Sequence, residues 1–230
     1  MPDLSKWKYY YNLEGTELVR ANLVYTPYVS PDNTTFCMSF NRDPKYHRYP
    51  AEETQWTQQD LVTRFEREIK FHERASTIMP TLAIKDIDIS NRQIFLEWHG
   101  DDFLMQSISK GYDTVLPDWQ TQWRDLIRKM WSINISKFSL HPNSWTVKDG
   151  VLIPFNWFFC YDTNASPITI RSVLQQISTE RLQKIKSVLE QNNLDLDTPY
   201  DIKTLQKIAF NSFRSNYPNE LIDSIIQELK

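Results

Sequence analysis

Glycine is scarce in this chain, at four of 230 residues, and there are only two cysteines. Glycine is the residue that lets a backbone approach a phosphate closely or turn through positive φ, so its scarcity argues against a glycine-cradled nucleotide site. The sequence has no Walker loop, dinucleotide fingerprint, Gly-x-Ser-x-Gly nucleophile elbow or His-Glu-x-x-His pair. Cys37 and Cys160 lie far apart without metal-ligand spacing. They read as reduced core or half-buried thiols of a cytosolic protein, a disulfide between them being the alternative. His99 and His141 have no partners at zinc spacing, so no metal site is expected. Long apolar runs are missing as well: VLIPFNWFFCY falls far short of the roughly 20 residues that span a bilayer. The opening MPDLSKWKYYYNLEG lacks the apolar stretch of a secretory signal. No membrane partner is expected, and the location expected is cytoplasmic. The formal net charge is −3, with Lys and Arg spread along the chain, so the footprint of a general nucleic-acid binder is absent too.

Large apolar side chains are what the sequence has in quantity. Eight Trp, eleven Tyr and twelve Phe, within 40% hydrophobic content, can bury a substantial core in one domain or two small intimate lobes. The first third alternates like strands. KWKYYYNL and ELVRANLVYT flank Glu14-Gly15-Thr16, which suits a hairpin, and TTFCMSF is a third strand. NRDPKYHRYPAEE breaks every period and reads as a loop. Thr57 and Asp60 then have the spacing of a capping box, and Leu61, Val62, Phe65 and Ile69 predict a helix over 57–76. TLAIKDIDI and QIFLEWHG predict two further strands around a turn at Ser90-Asn91-Arg92, with Gly100 ending the second. Beyond Asp118, an apolar stripe of Trp119, Trp123, Leu126, Ile127, Met130 and Ile133 predicts a long buried helix. WTV and VLIPF flank Asp149-Gly150, the strongest hairpin signal in the chain. The remainder reads as helical: TERLQKIKSVLEQ, then TPYDIKTLQKIAFNSF and PNELIDSIIQELK, with Pro199 and Pro218 in first turns.

Five strands with one helix after the third, followed by a helical half with one small hairpin, resembles the protein-kinase-like fold. RFEREIKFHERAS looks like the amino-lobe helix with its pairing Glu, and IFLEWHGDDF like the strand and hinge joining the lobes. ISKFSLHPNSWTVKDGVLIPFNW looks like the catalytic loop, small hairpin and metal-binding triplet. Leu140-His141-Pro142 match the loop of the aminoglycoside-phosphotransferase branch. The likeness covers residues 7–157. It implies an α+β, two-lobed fold: an amino lobe at 1–100 with a five-stranded antiparallel sheet and one helix, and a mostly helical carboxy lobe with a small hairpin at 101–230. The short, glycine-poor chain also resembles small kinase-like proteins of bacteriophages.

Carried over residue by residue, the resemblance implies a degenerate site. The loop Asp that orients the substrate hydroxyl falls on Ser139, which cannot act as a carboxylate base. The metal-holding Asn falls on Ser144, or on Asn143 after a one-residue slip. The metal-binding Asp falls on Pro154, which has no side-chain oxygen to offer, and the following Gly on Asn156. The phosphate-gripping Lys would lie near Ser39 or Asn41, neither cationic. Only Glu68 stays in place. It falls with Leu61, Phe65 and His72 near the apolar stripe and so needs a partner, for which Arg42 and Lys45 are candidates. The alternative is that EREIK is an ordinary solvated helix face and SLHPNSW an ordinary turn. Glu68, Ser139, His141, Asn143, Ser144 and Asn156 are thus expected to be vestigial positions, with no catalytic residue, cofactor or metal.

The function implied is that of a pseudokinase acting through an unknown protein partner, possible roles in regulation included. One competing expectation is a divergent small-molecule phosphotransferase or nucleotidyltransferase with relocated carboxylates among Asp101, Asp102, Asp149 and Asp162. Another is a structural component of a larger assembly. A final expectation concerns the nucleotide position: Phe36, Met38, Phe40, Phe155 and Trp157 are bulky where a nucleotide would sit, so aromatic side chains should fill it, with Glu68 turned to a basic or hydroxyl partner.

Overall fold

The computed structural model describes residues 2–10, 24–41, 57–100, 102–104, 108, 116–173, 189–190 and 193–229. Its described residues fall into two compact units. The first comprises Met1–Glu66, Ala83–Gly100 and Thr169–Pro199; the second comprises Arg67–Leu82, Asp101–Ile168 and Tyr200–Lys230.

In the first unit, aromatic and β-branched segments build a five-stranded antiparallel sheet. Its strands are β1 (Lys8–Tyr9), β2 (Thr26–Val29), β3 (Thr35–Ser39), β4 (Ile84–Asp88) and β5 (Gln93–Glu97), in the order β1-β2-β3-β5-β4. The expected turn at Glu14-Gly15-Thr16 and most of the second expected strand lie outside the described residues. Strand β2 starts only at Thr26 and runs on through Pro27, which has no N–H to donate but whose carbonyl accepts from Tyr10 N at 3.1 Å. Strand β3 buries Phe36, Cys37, Met38 and Ser39 in succession, so it is covered on both faces. Phe36 stacks on Trp98 at 5.1 Å, and Phe40 meets Phe65 edge-on at 5.7 Å. The β4–β5 turn is organised by Asp88, which accepts from Ser90 Oγ at 2.6 Å and Asn91 N at 3.0 Å, while Arg92 takes φ 50°.

Helix α1 (Gln58–Ser76) follows β3 and begins as its sequence predicts. Thr57 Oγ1 accepts from Asp60 N at 3.1 Å, and Asp60 Oδ2 accepts from Thr57 N at 2.8 Å, a closed capping box.

The core of the second unit is aromatic. Helix α2 (Trp119–Ser132) buries Trp119, Trp123, Leu126, Ile127 and Met130, the stripe read from sequence. Trp123 packs against Trp145, Phe210 and Tyr217 at 4.9–5.9 Å between ring centroids. Strands β7 (Trp145–Lys148) and β8 (Val151–Pro154) form the small hairpin, with Asp149 at φ 51° and Gly150 at φ 75°. Positive φ at both central residues is the geometry whose twist suits a two-residue hairpin. Gln122 of α2 fixes it in place, donating to Gly150 O at 2.9 Å and accepting from Leu152 N at 2.8 Å.

The stretch after the hairpin departs from the all-helical expectation. Strand β9 (Cys160–Asp162) pairs antiparallel with β6 (Ile135–Lys137), and short strands occur at β10 (Ile168–Thr169) and β11 (Pro199–Tyr200). A four-residue helix, α3 (Ile170–Val173), follows β10. Pro199 therefore lies in a strand and not in a first helical turn. Helix α4 (Ile202–Ser212) starts after Asp201, whose side chain accepts from Thr204 N at 2.9 Å and so supplies the cap. Pro218 stands one position before the first turn of α5 (Asn219–Glu228), as its N-cap. Most of TERLQKIKSVLEQ lies outside the described residues. No helix among the described residues is long and apolar enough to cross a membrane.

Candidate functional site

The residues singled out around the loop converge in the second unit. Strand β6 leads into Phe138-Ser139-Leu140, His141 caps a single 3-10 turn at Pro142–Ser144, and β7 follows. His141 Nδ1 accepts from Asn143 N at 3.1 Å, so that ring nitrogen closes the residue's own turn. Ser139 Oγ and Ser144 Oγ share a hydrogen bond of 2.7 Å, and Asn156 Nδ2 donates to Ser144 Oγ at 3.3 Å. Ser139, Ser144 and Asn156 thus come together, while the short turn holds Asn143 beside His141. No carboxylate hydrogen-bonds to Ser139 or Ser144 among the described residues. A hydroxyl pair with an amide donor can orient a polar group, but it offers neither a base at neutral pH nor charge for a divalent cation.

Beneath this cluster lies a residue the sequence reading passed over. Lys137 is fully buried, and its Nζ donates to Phe155 O at 2.5 Å and Asn156 O at 2.8 Å. The ammonium also sits 5.0 Å from the Trp157 ring and 5.8 Å from the Trp145 ring, within reach of both aromatic faces. Glu68, 1% exposed, accepts the Phe158 amide at 2.8 Å through Oε2. Burial pushes the Glu68 carboxyl well above its ordinary value, and the Lys137 charge pulls it part of the way back. Burial likewise pushes the Lys137 ammonium down, against the opposing pull of Cys160 and Glu68. Cys160 is buried beside them, its thiol pushed up to about 12 by burial. The charge facing Glu68 therefore comes from β6; Arg42 and Lys45, the candidates read from sequence, lie outside the described residues.

The bulky groups named for the nucleotide position are buried in their own units: Phe36, Met38 and Phe40 in the first, Phe155 and Trp157 in the second. Phe155 lies 5.9 Å from Phe103, ring to ring. In the first unit, Ser39 is buried, and Asn41 donates to Asn91 O at 2.6 Å and accepts from Arg92 Nε at 2.9 Å.

Of the relocated carboxylates, Asp101 lies outside the described residues, and Asp102 and Asp149 are exposed. The Asp102 main chain is tied to the hairpin, its carbonyl accepting from Val147 N at 2.7 Å and Thr146 Oγ1 at 3.0 Å. Asp162 is bound by Lys70 at 3.0 Å and by Arg74. Burial alone would raise the Asp162 carboxyl, but the hydrogen bonds from Arg74 and Lys70 outweigh it and hold the group below its ordinary value. Asp162, Arg74, Asn134 and Asn164 line a shallow depression of about 690 Å³. His99 lies 3.2 Å from Glu97. No cluster of three or more His, Cys, Asp or Glu among the described residues could hold a metal ion.

The sequence matches no protein-family model, and no curated protein matches it. Among solved structures, the chain is similar to the co-crystal structure of WbdD with the kinase inhibitor LY294002, at a TM-score of 0.47 and 11% sequence identity. That similarity covers 90% of this chain and 44% of the other, so the chain spans less than half the length of that protein.

Proposed function

We propose that this chain is a kinase-like protein without phosphoryl-transfer chemistry, acting by contact with another protein. The observation that carries this reading is the closure of Ser139, Ser144 and Asn156 on one another through hydroxyl and amide hydrogen bonds. By the sequence resemblance, those positions are where a catalytic base, a metal ligand and a glycine belong. Phosphoryl transfer depends on positioning and on metal-assisted charge stabilisation, and neither Ser nor Pro154 supplies the anionic oxygens such a metal needs. The order of three strands, a helix, two strands and then a helix-rich part with a small hairpin supports the kinase-like reading. The buried free thiols Cys37 and Cys160 support a reducing, cytoplasmic setting. A phosphotransferase with relocated carboxylates finds less support, because Asp162 is already engaged by two cations.

Thermal unfolding in the presence of ATP or GTP, with magnesium or manganese, tests the proposal. A ligand that binds only the folded state raises the melting temperature in proportion to its saturation. No metal-dependent shift is expected. A clear, saturable one would overturn the non-catalytic reading.

A further inference from the structure

The backbone from Phe155 to Phe158 is gripped by two charged side chains that have almost no contact with solvent. Lys137 holds the carbonyls of Phe155 and Asn156 at 2.5 and 2.8 Å, and Glu68 holds the amide of Phe158 at 2.8 Å. The bonds come from different elements, β6 and α1, and act on three of the four residues of one turn. Between them Asn156 adopts a left-handed conformation, φ 62° and ψ 64°, a region that asparagine tolerates better than most residues bearing a Cβ.

Filling space does not require these charges. Methionine at 137 and leucine at 68 approach the two side chains in volume, and well-packed apolar replacement of buried charges is often neutral or stabilising. What an apolar pair loses is the hydrogen bonding that chooses where three main-chain groups point. We propose that Lys137 and Glu68 form an internal clamp that selects one conformation of Phe155–Phe158, as positioning residues that add little to global stability. Whatever face this turn presents to a ligand or partner is then set from inside the unit. The clamp stands on its own geometry and does not depend on the non-catalytic reading.

The test is amide hydrogen exchange on the full chain carrying Glu68→Leu together with Lys137→Met, with the β7–β8 hairpin amides as internal reference. The expected result is a fold that melts within a few degrees of the unsubstituted chain and keeps hairpin protection. Exchange at Trp157, Phe158 and Phe159 should be at least about ten-fold faster, since the population of turned-out conformers rises with no change in global unfolding. Unchanged protection of those three amides would overturn the proposal. So would parallel loss in turn and hairpin, or failure of the double variant to fold, because the pair would then be supplying stability and not choice of conformation.

Discussion

Helix α1 sends two sets of polar groups toward later strands of the second unit, and burial separates them. Glu68 and His72, four residues apart, share one face and are 1% and 4% exposed. Lys70 and Arg74, also four apart, share another and keep 55% and 30% of their side-chain surface. Within the buried set Glu68 is coupled electrostatically to Lys137 on β6, and the open set meets Asp162 on β9 in direct ion pairs. Two unit charges at about 4 Å attract by ~1 kcal/mol in water and about 4 kcal/mol at the effective dielectric of a protein surface, and both ions must first be dehydrated. The two buried charges are therefore costly to assemble and costly to remove singly, whereas the open pair is cheap in both directions.

The largest effect should come from breaking the buried set on one side. Glu68→Ala strips the Phe158 amide of its acceptor and removes the negative charge coupled to the Lys137 ammonium, which then rests in the core on main-chain carbonyls and aromatic rings alone. The expected loss is about 3–5 kcal/mol, read as a fall in the urea midpoint. A loss below about 1 kcal/mol would erase the contrast between the two sets.

His72 sharpens the comparison through pH. Burial pushes its imidazole down to about 4, with the Leu82 backbone hydrogen bond acting the other way. A His with a depressed folded value is neutral in the fold, so its contribution is whole above the unfolded value of about 6.5 and is lost as pH falls toward 4. The difference corresponds to ~3 kcal/mol. Glu68 has the opposite sign, because a raised carboxyl makes the fold gain stability as pH falls through the same window. The two slopes oppose one another in the unsubstituted chain. His72→Gln, neutral at every pH, should become more stable relative to it by up to about 3 kcal/mol on going from pH 7 to pH 4, measured by denaturant unfolding at each pH. Identical pH profiles would mean that His72 titrates normally.

What could be read in advance divides along similar lines. The capping box at Thr57 and Asp60, the α2 stripe and the Asp149-Gly150 turn were legible because each is encoded by residues within a few positions of one another. Pairing of β6 with β9 was not, since ISK and CYD are too short to show alternation and their register depends on a partner well over twenty positions away. Pro199 misled for a related reason: proline restricts a backbone locally, but the neighbouring strand decides whether its missing N–H matters. In the site, Glu68 betrayed itself by lying beside an apolar stripe, yet nothing local named its partner. A signal for Lys137 did exist. It is the lone Lys, Arg, Asp or Glu between Lys129 and Lys148, an isolated charge in a stretch that otherwise reads as core.

The smallest effect should come from the open set. Asp162→Asn keeps the shape of the side chain and removes the charge that Lys70 and Arg74 share, on a group that retains 37% of its side-chain exposure. Exposed pairs of this kind contribute about 0–1 kcal/mol, because water solvates the separated ions almost as well and ordering two long side chains costs entropy. Arg74 can stay over the Phe71 ring at 5.2 Å when Asp162 is neutral, which limits the loss further. The expected change is at most about 1 kcal/mol at low salt, shrinking toward zero near 1 M salt, where the screening length falls to about 3 Å. Urea unfolding of Asp162→Asn at both salt concentrations measures it. A loss that persists in high salt would show that Asp162 is held in a drier environment than its exposure implies, and would bring the two faces of α1 closer in kind.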